Sequence, residues 1–183
     1  MMPHGDPERA AASCSVRLTV ELVIRPCHRR DLEPLEWFGA YTAHRAFVAA
    51  QFARHLRGEN VMLVATHRDF PVGQVWIDLV KRSAERTATL WALRVLEPFQ
   101  GLGVGRTLLA AAEARAADAG CVAVEIGVEK HLRFVRGFYE RLGFTPIGEE
   151  VSEEVYAAPD GPVSRYVFDQ WVLRKPLYVN GPR

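Results

Sequence analysis

The sequence predicts an α/β fold of mixed α+β character: a central mixed, mostly antiparallel twisted sheet with helices on both faces. Three observations carry this expectation. Strand-like runs over 61–66, 72–80 and 88–96 follow one another across short polar breaks, as an antiparallel meander requires. At Gln100 the pattern changes to a glycine-rich turn that opens an Ala- and Leu-rich helix, 104–118, closed by Gly120. That helix leads into an apolar run, 121–128, so a strand–helix–strand unit joins the meander.

The remaining elements follow from local patterning. Alternation begins at Val16 and continues through Leu18, Val20, Leu22 and Ile24, a strand that Pro26 ends. Asp31 is placed to cap a short helix through Trp37, which Gly39 interrupts. A second helix is expected over 41–57, with Phe47, Val48, Phe52 and Leu56 near one face and Gly58 at its C-terminal cap. Val122, Val124 and Ile126 share one face of the strand 121–128, and 133–142 reads as a short helix ended by Gly143. Two last strands, 145–157 and 164–177, flank the turn Pro159-Asp160-Gly161-Pro162. Residues 1–15 are expected to form a disordered tail, and 16–183 a single domain.

A chain of 183 residues, 49% hydrophobic and 25% charged, suffices for one substantial core. Its 23 basic and 22 acidic side chains leave a net charge of +1, which argues against nucleic-acid binding through a broad basic face. Cys14, Cys27 and Cys121 have no metal-ligand spacing and read as small apolar side chains in a reducing compartment. The six histidines are scattered, so no metal is expected. No run suits a signal peptide or a bilayer span, so the expectation is a cytoplasmic protein without a membrane partner; a homodimer is left open.

The chemistry concentrates at Gln100-Gly101-Leu102-Gly103-Val104-Gly105-Arg106-Thr107. Glycines there allow positive φ and close approach to a ligand, and the helix start behind them offers unpaired N–H groups to a phosphate or pyrophosphate. The spelling departs from two familiar phosphate loops. A Walker loop needs glycine at 100 and lysine at 106, and a dinucleotide fingerprint from Gly101 needs glycine or alanine at 106. A glycine-rich turn without a ligand is the remaining alternative.

Leu93-Arg94-Val95 followed by Gln100-x-x-Gly103-x-Gly105 resembles motif A of the GNAT N-acetyltransferase superfamily, and Phe138-Tyr139-Glu140-Arg141-Leu142-Gly143-Phe144 resembles its motif B. The two stand in the family's order with a helix and strand between them, and the element order of nearly the whole chain agrees. The resemblance implies transfer of an acetyl group from acetyl-CoA, as cosubstrate, to a primary amine of a small acceptor by direct attack on the thioester; the acidic last hairpin adds the expectation of a polycationic acceptor. It further implies that Leu93 and Val95 offer backbone groups to the pantetheine. The pyrophosphate would rest on the N–H groups of Leu102, Gly103, Val104, Gly105 and Arg106, with Gln100 facing it. Tyr139 matches the family's general acid, against the alternative of an aromatic that only packs, while Phe138 and Phe144 read as core.

The sequence also departs from the family. Leu132 stands where an asparagine is common, and the two positions where branches place a carboxylate base are Thr89 and Gly127. Glu125, on the face of Gly127, is the first candidate base, although an arginine partner would explain it equally well. Glu97, Glu129 and a water chain are the others. Trp37, Phe38, Tyr41 and His44, with Glu149, Glu150, Glu153, Glu154, Tyr156 and Asp160 of the last hairpin, are expected to line an acceptor site suited to a cationic amine. The alternatives are an acetyltransferase for protein N-termini or lysines, and a non-catalytic acyl-CoA-binding regulatory domain.

Overall fold

In a computed structural model that describes residues 19–157 and 163–177, the strand-like runs become β1 (Val23–Pro26), β2 (Asn60–His67), β3 (Phe70–Asp78), β4 (Thr87–Val95), β5 (Ala123–Glu129), β6 (Thr145–Ala157) and β7 (Val163–Pro176). The helices are α1 (Arg45–Leu56), α2 (Val104–Asp118) and α3 (Arg133–Glu140). The strands form one seven-stranded sheet in the order β1-β2-β3-β4-β5-β7-β6. Every neighbouring pair is antiparallel except β4 and β5, which run parallel. The tail 1–15 and the turn 159–162 lie outside the described residues.

Alternation along the strands divides the core between the two faces. Leu63, Val75, Ile77, Leu90, Val124 and Ile126 cluster with Leu108, Leu109 and Ala112 of α2 and with Tyr139 of α3. Met62, Val64 and Trp76 cluster with Phe52 of α1 and with its partly buried Phe47 and Val48. Leu108 and Leu109 are essentially inaccessible to solvent, and burying each stabilises the fold by about 1.5–3 kcal/mol.

The feature that shapes the site is a break between β4 and β5. Their pairing runs only from Thr87↔Ala123 to Leu90↔Ile126. Beyond it the β3–β4 register shifts between Gln74 and Trp76, and Ala92 sits at φ +50. A bulge of this kind bends its strand. It leaves the backbone of β4 after Leu90 without a partner on β5, and a gap opens between the two strands.

Three expectations are corrected. Among the described residues the first strand begins at Val23 rather than at Val20, because Val23 pairs with Thr66 and β2 ends at His67, which leaves residues before Leu22 no strand to pair with; Val16 and Leu18 lie outside the described residues. The helix expected from Asp31 to Trp37 is two 3₁₀ turns, Arg29–Asp31 and Pro34–Glu36. Pro34 has no N–H to extend the first turn, and Asp31, instead of capping a helix that follows, accepts from His28 N–H behind it at 2.7 Å. Leu56, expected on the buried face of the second helix, is 69% exposed.

Asp31 is itself buried and receives both Arg25 guanidinium nitrogens, at 2.6 and 2.8 Å. Burial pushes its carboxyl up, but the bonds from Arg25 and His28 outweigh that and hold it below the ordinary aspartate value. A lowered folded-state pKa contributes stability that is present above the unfolded-state value and lost as pH falls through the folded one. Asp31→Asn is therefore expected to cost about 2 kcal/mol at neutral pH. The gap between the two melting curves should close below the ordinary aspartate range, and a pH-independent gap would assign the loss to packing.

Cys27 and Cys121 are buried and free. Burial, with Asp31 nearby, pushes the Cys27 thiol up to about 12, and burial raises that of Cys121. Both behave as apolar side chains; Cys14 lies outside the described residues. No helix among the described residues is long and apolar enough to cross a membrane.

Candidate active site

The turn before α2 is built to receive an anion. Gly101 and Gly103 have φ of +74 and +86, and a Cβ added to either would meet no atom within 4 Å, so the surface above them is open. The first backbone bond of α2 is Thr107 N–H to Gly103 O, at 3.1 Å. Among the described residues the N–H groups of Leu102, Gly103, Val104, Gly105 and Arg106 have no acceptor, as expected of a first helical turn. The Arg106 side chain is exposed. Two polar side chains turn inward instead: Thr107 Oγ1 donates to Gly103 O at 3.1 Å, and Gln100 Nε2 to Val95 O at 2.9 Å. Gln100, expected to face the pyrophosphate, thus ties the turn to the end of β4.

Leu93 and Val95 lie on the part of β4 that has left β5. Tyr139 reaches the same gap from α3. It is 5% exposed, with its ring edge-on to Phe138 and Phe144 at 5.1 and 5.6 Å between centroids. Among the described residues its hydroxyl makes no hydrogen bond, and Tyr139 is one of the residues lining a cavity of about 840 Å³ shared with Leu93, Gly127 and the residues beneath α1. Burial pushes its phenol well above the ordinary value, so the group keeps its proton. A glycine cradle, two parted strands and an unpartnered phenol fit a pantetheine-bearing thioester.

Comparison with known proteins decides the family. A model described as the acetyltransferase (GNAT) family matches residues 28–144, more than half of the chain. The chain belongs to the GNAT acetyltransferase family. No curated protein matches. Among solved structures, the PaiA N-acetyltransferase of Thermoplasma acidophilum in complex with coenzyme A superposes with a TM-score of 0.65 at 16% identity, over 85% of this chain and 99% of that one. A spermidine N-acetyltransferase SpeG chimera from Vibrio cholerae and hSSAT gives 0.65 at 19%, over 85% and 95%. An acetyltransferase of the GNAT family from Staphylococcus aureus gives 0.62 at 16%, over 86% and 99%. At these identities the likeness is one of fold.

As a GNAT protein the chain is an acyltransferase, and acetyl-CoA is the cosubstrate of its family. Gly103→Val is expected to remove the rise in melting temperature that acetyl-CoA produces by binding the native state. A branched side chain at φ +86 both strains the turn and covers the N–H cradle. The readout is the ligand-induced shift rather than the melting temperature itself. An unchanged shift would place the cosubstrate elsewhere.

At the family's two base positions this GNAT chain has other arrangements. Thr89 Oγ1 is buried in the cavity wall without a hydrogen-bond partner among the described residues. At Gly127 a Cβ would collide with the Gln170 amide from β7, so that amide fills the space a side chain there would take. Glu125 is 2% exposed and held from two sides: Arg174 Nε donates to Oε1 at 2.7 Å, joined by Arg174 Nη2, and Arg82 Nε lies 3.0 Å from Oε2. Both carboxylate oxygens are engaged. Glu97 lies in an exposed 3₁₀ turn, whereas Glu129 lines the cavity with His131 Nδ1 at 3.6 Å.

The acceptor side departs further from expectation. Trp37 is core, donating Nε1–H to Pro71 O at 2.9 Å, and Phe38 is 90% exposed. Among the described residues, of the expected aromatic and histidine residues only His44 lines the cavity. Trp76 and Trp91, edge-on at 4.6 Å, form its floor with Phe47, which sequence reasoning missed because their alternation reads equally as core. The hairpin carboxylates are matched by cations: Glu149 by Lys130 at 2.7 Å, Glu150 by Lys81 at 3.5 Å and Glu153 by Arg165 at 2.8 Å. Asp160 and the side chains of Glu154 and Tyr156 lie outside the described residues.

Proposed function

We propose that the chain is an N-acetyltransferase that moves the acetyl group of acetyl-CoA to a primary amine of a small acceptor, with Tyr139 as general acid. The observation that carries this reading is Tyr139, which lines the cavity joining the gap between β4 and β5 to the space beneath α1, has no hydrogen-bond partner for its hydroxyl among the described residues, and is kept protonated by burial. Bound acetyl-CoA would supply the thioester. Leu93 and Val95 would pair with its pantetheine, and the N–H groups of 102–106, with Arg106, would hold its pyrophosphate. The acceptor nitrogen attacks the thioester carbon as the carbon–sulfur bond breaks, the Tyr139 proton goes to the departing sulfur, and the amine proton passes to water. Water is the simplest acceptor for that proton because Glu125 Oε1 already accepts from the Arg174 guanidinium and Oε2 is ion-paired with Arg82. Glu125 then acts as a tether between β5, β7 and the loop before β4.

A polycationic acceptor finds little support in the hairpin, since Glu149, Glu150 and Glu153 already have cationic partners. A polyamine, an aminoglycoside and a peptide bearing a free N-terminus or lysine remain arms of the test. An acyl-CoA sensor would have no use for the free phenol at Tyr139. The test is amine-dependent thiol release from acetyl-CoA over an acceptor panel, with the acetylated product identified by mass. Acetyl-CoA binding without thiol release for any amine would overturn the enzyme reading in favour of a sensor.

A further inference from the structure

We infer that Arg94 selects acceptors that carry a carboxylate beside the reacting amine, which makes amino acids or related amino-carboxylates the substrate class. This deepens, and rests on, the acetyltransfer reading. Arg94 follows the β4 bulge and lines the same cavity as Thr89 and Tyr139. Its guanidinium carbon stands 4.5 Å from the centroid of the Tyr41 ring. Tyr41 is in turn set edge-on against Trp37 at 5.5 Å, and Trp37 is anchored by its bond to Pro71. A guanidinium held over an aromatic ring can keep its in-plane N–H donors free to receive a carboxylate by two parallel bonds. Among the described residues none of those donors has a partner.

The other basic side chains of the cavity differ. Arg54 meets Glu59 and Asp78 at 3.1 and 3.0 Å. Lys81 meets Glu150 at 3.5 Å, and Arg82 meets Glu85 and Glu125 at 3.6 and 3.0 Å. Arg94 is thus the lining cation without a carboxylate among the described residues. Ordering a guanidinium on an aromatic ring costs side-chain entropy, and without an anion the stack recovers only a modest cation–π gain. Across the gap, the Glu129 carboxylate has only His131 near it among the described residues, at 3.6 Å. A positive pole on β4 and a negative pole on β5 complement a zwitterion and disfavour a polycation, which would meet Arg94 with like charge.

The test is initial-rate thiol release with α-, β- and γ-amino acids, each measured beside its own primary carboxamide, which keeps the amine and removes the negative charge. The wild type is expected to favour the carboxylate member of the best pair by about 10–100-fold in kcat/KM, mainly through KM, the range of a bidentate charge-assisted contact. Arg94→Gln should bring that ratio to near one, and Arg94→Lys should restore part of it as a point charge without the fork. The acetyl-CoA-induced rise in melting temperature should be retained in Arg94→Gln, which also reports that the variant is folded. Preference for carboxamides or polyamines, or a ratio unchanged in Arg94→Gln, overturns the inference. So does loss of the acetyl-CoA shift in Arg94→Gln, which would make the anion a phosphate of the cosubstrate. No thiol release with any amine would instead sink the acetyltransfer reading, and this inference with it.

Discussion

Tyr139→Phe is expected to lower kcat by about 10²–10⁴, the span of general acid catalysis, with little change in acetyl-CoA affinity or melting temperature. The substitution keeps the ring and hence the edge-on contacts with Phe138 and Phe144 that seat it in the core. The hydroxyl has no hydrogen-bond partner among the described residues, so its removal orphans no buried group and costs little stability. What disappears is the proposed proton donor. Because burial pushes the phenol above its ordinary value, the protonated form persists through the physiological range and beyond it. The wild-type profile should therefore show no basic limb from Tyr139 below the ordinary tyrosine value. An undiminished rate in the phenylalanine variant would mean that water protonates the departing sulfur and that Tyr139 only packs.

The parts of the fold that could be read from sequence are those with local punctuation. Helix α2 runs over 104–118 as expected because Gly103 and Gly120, both at positive φ, mark its two ends. The first helix failed for a local reason too: Pro34 divides a segment too short to nucleate an α-helix against that break. The run of free N–H groups before α2 was legible because it is made by backbone at consecutive positions. The acceptor side was not. Glu125 and Arg174 are 49 residues apart in sequence and meet only because β7 inserts beside β5. The Gln170 amide over Gly127 depends on the same register. The acidic hairpin looked like a cation site because Lys130 and Lys81, which neutralise Glu149 and Glu150, come from other segments. Arg94 was visible only as part of a motif, since its stack on Tyr41 joins β4 to a loop preceding α1.

Glu125→Gln is expected to cost about 3 kcal/mol, the lower end for breaking a buried ion pair, and to lower the melting temperature by about 6–12 °C for a chain of this size. The glutamine keeps one acceptor oxygen but turns an N–H group toward a guanidinium, so Arg82 or Arg174 loses its bond and gains a repulsive contact. The cost stays near the lower end because the two arginine side chains are 33% and 38% exposed and can turn to water once released. The site lies beside the last paired residues of β4 and β5, Thr89↔Glu125 and Leu90↔Ile126. A loosened tether there should let the gap widen, so the KM for acetyl-CoA is expected to rise along with the loss of stability. The acidic limb of the pH–rate profile separates the two roles of Glu125. A tether leaves its position and slope unchanged in the folded variant, assayed well below its melting temperature. A base would carry that limb away with its carboxylate. If the variant melts like the wild type and loses the acidic limb, Glu125 takes the amine proton, and the route to water proposed above is wrong.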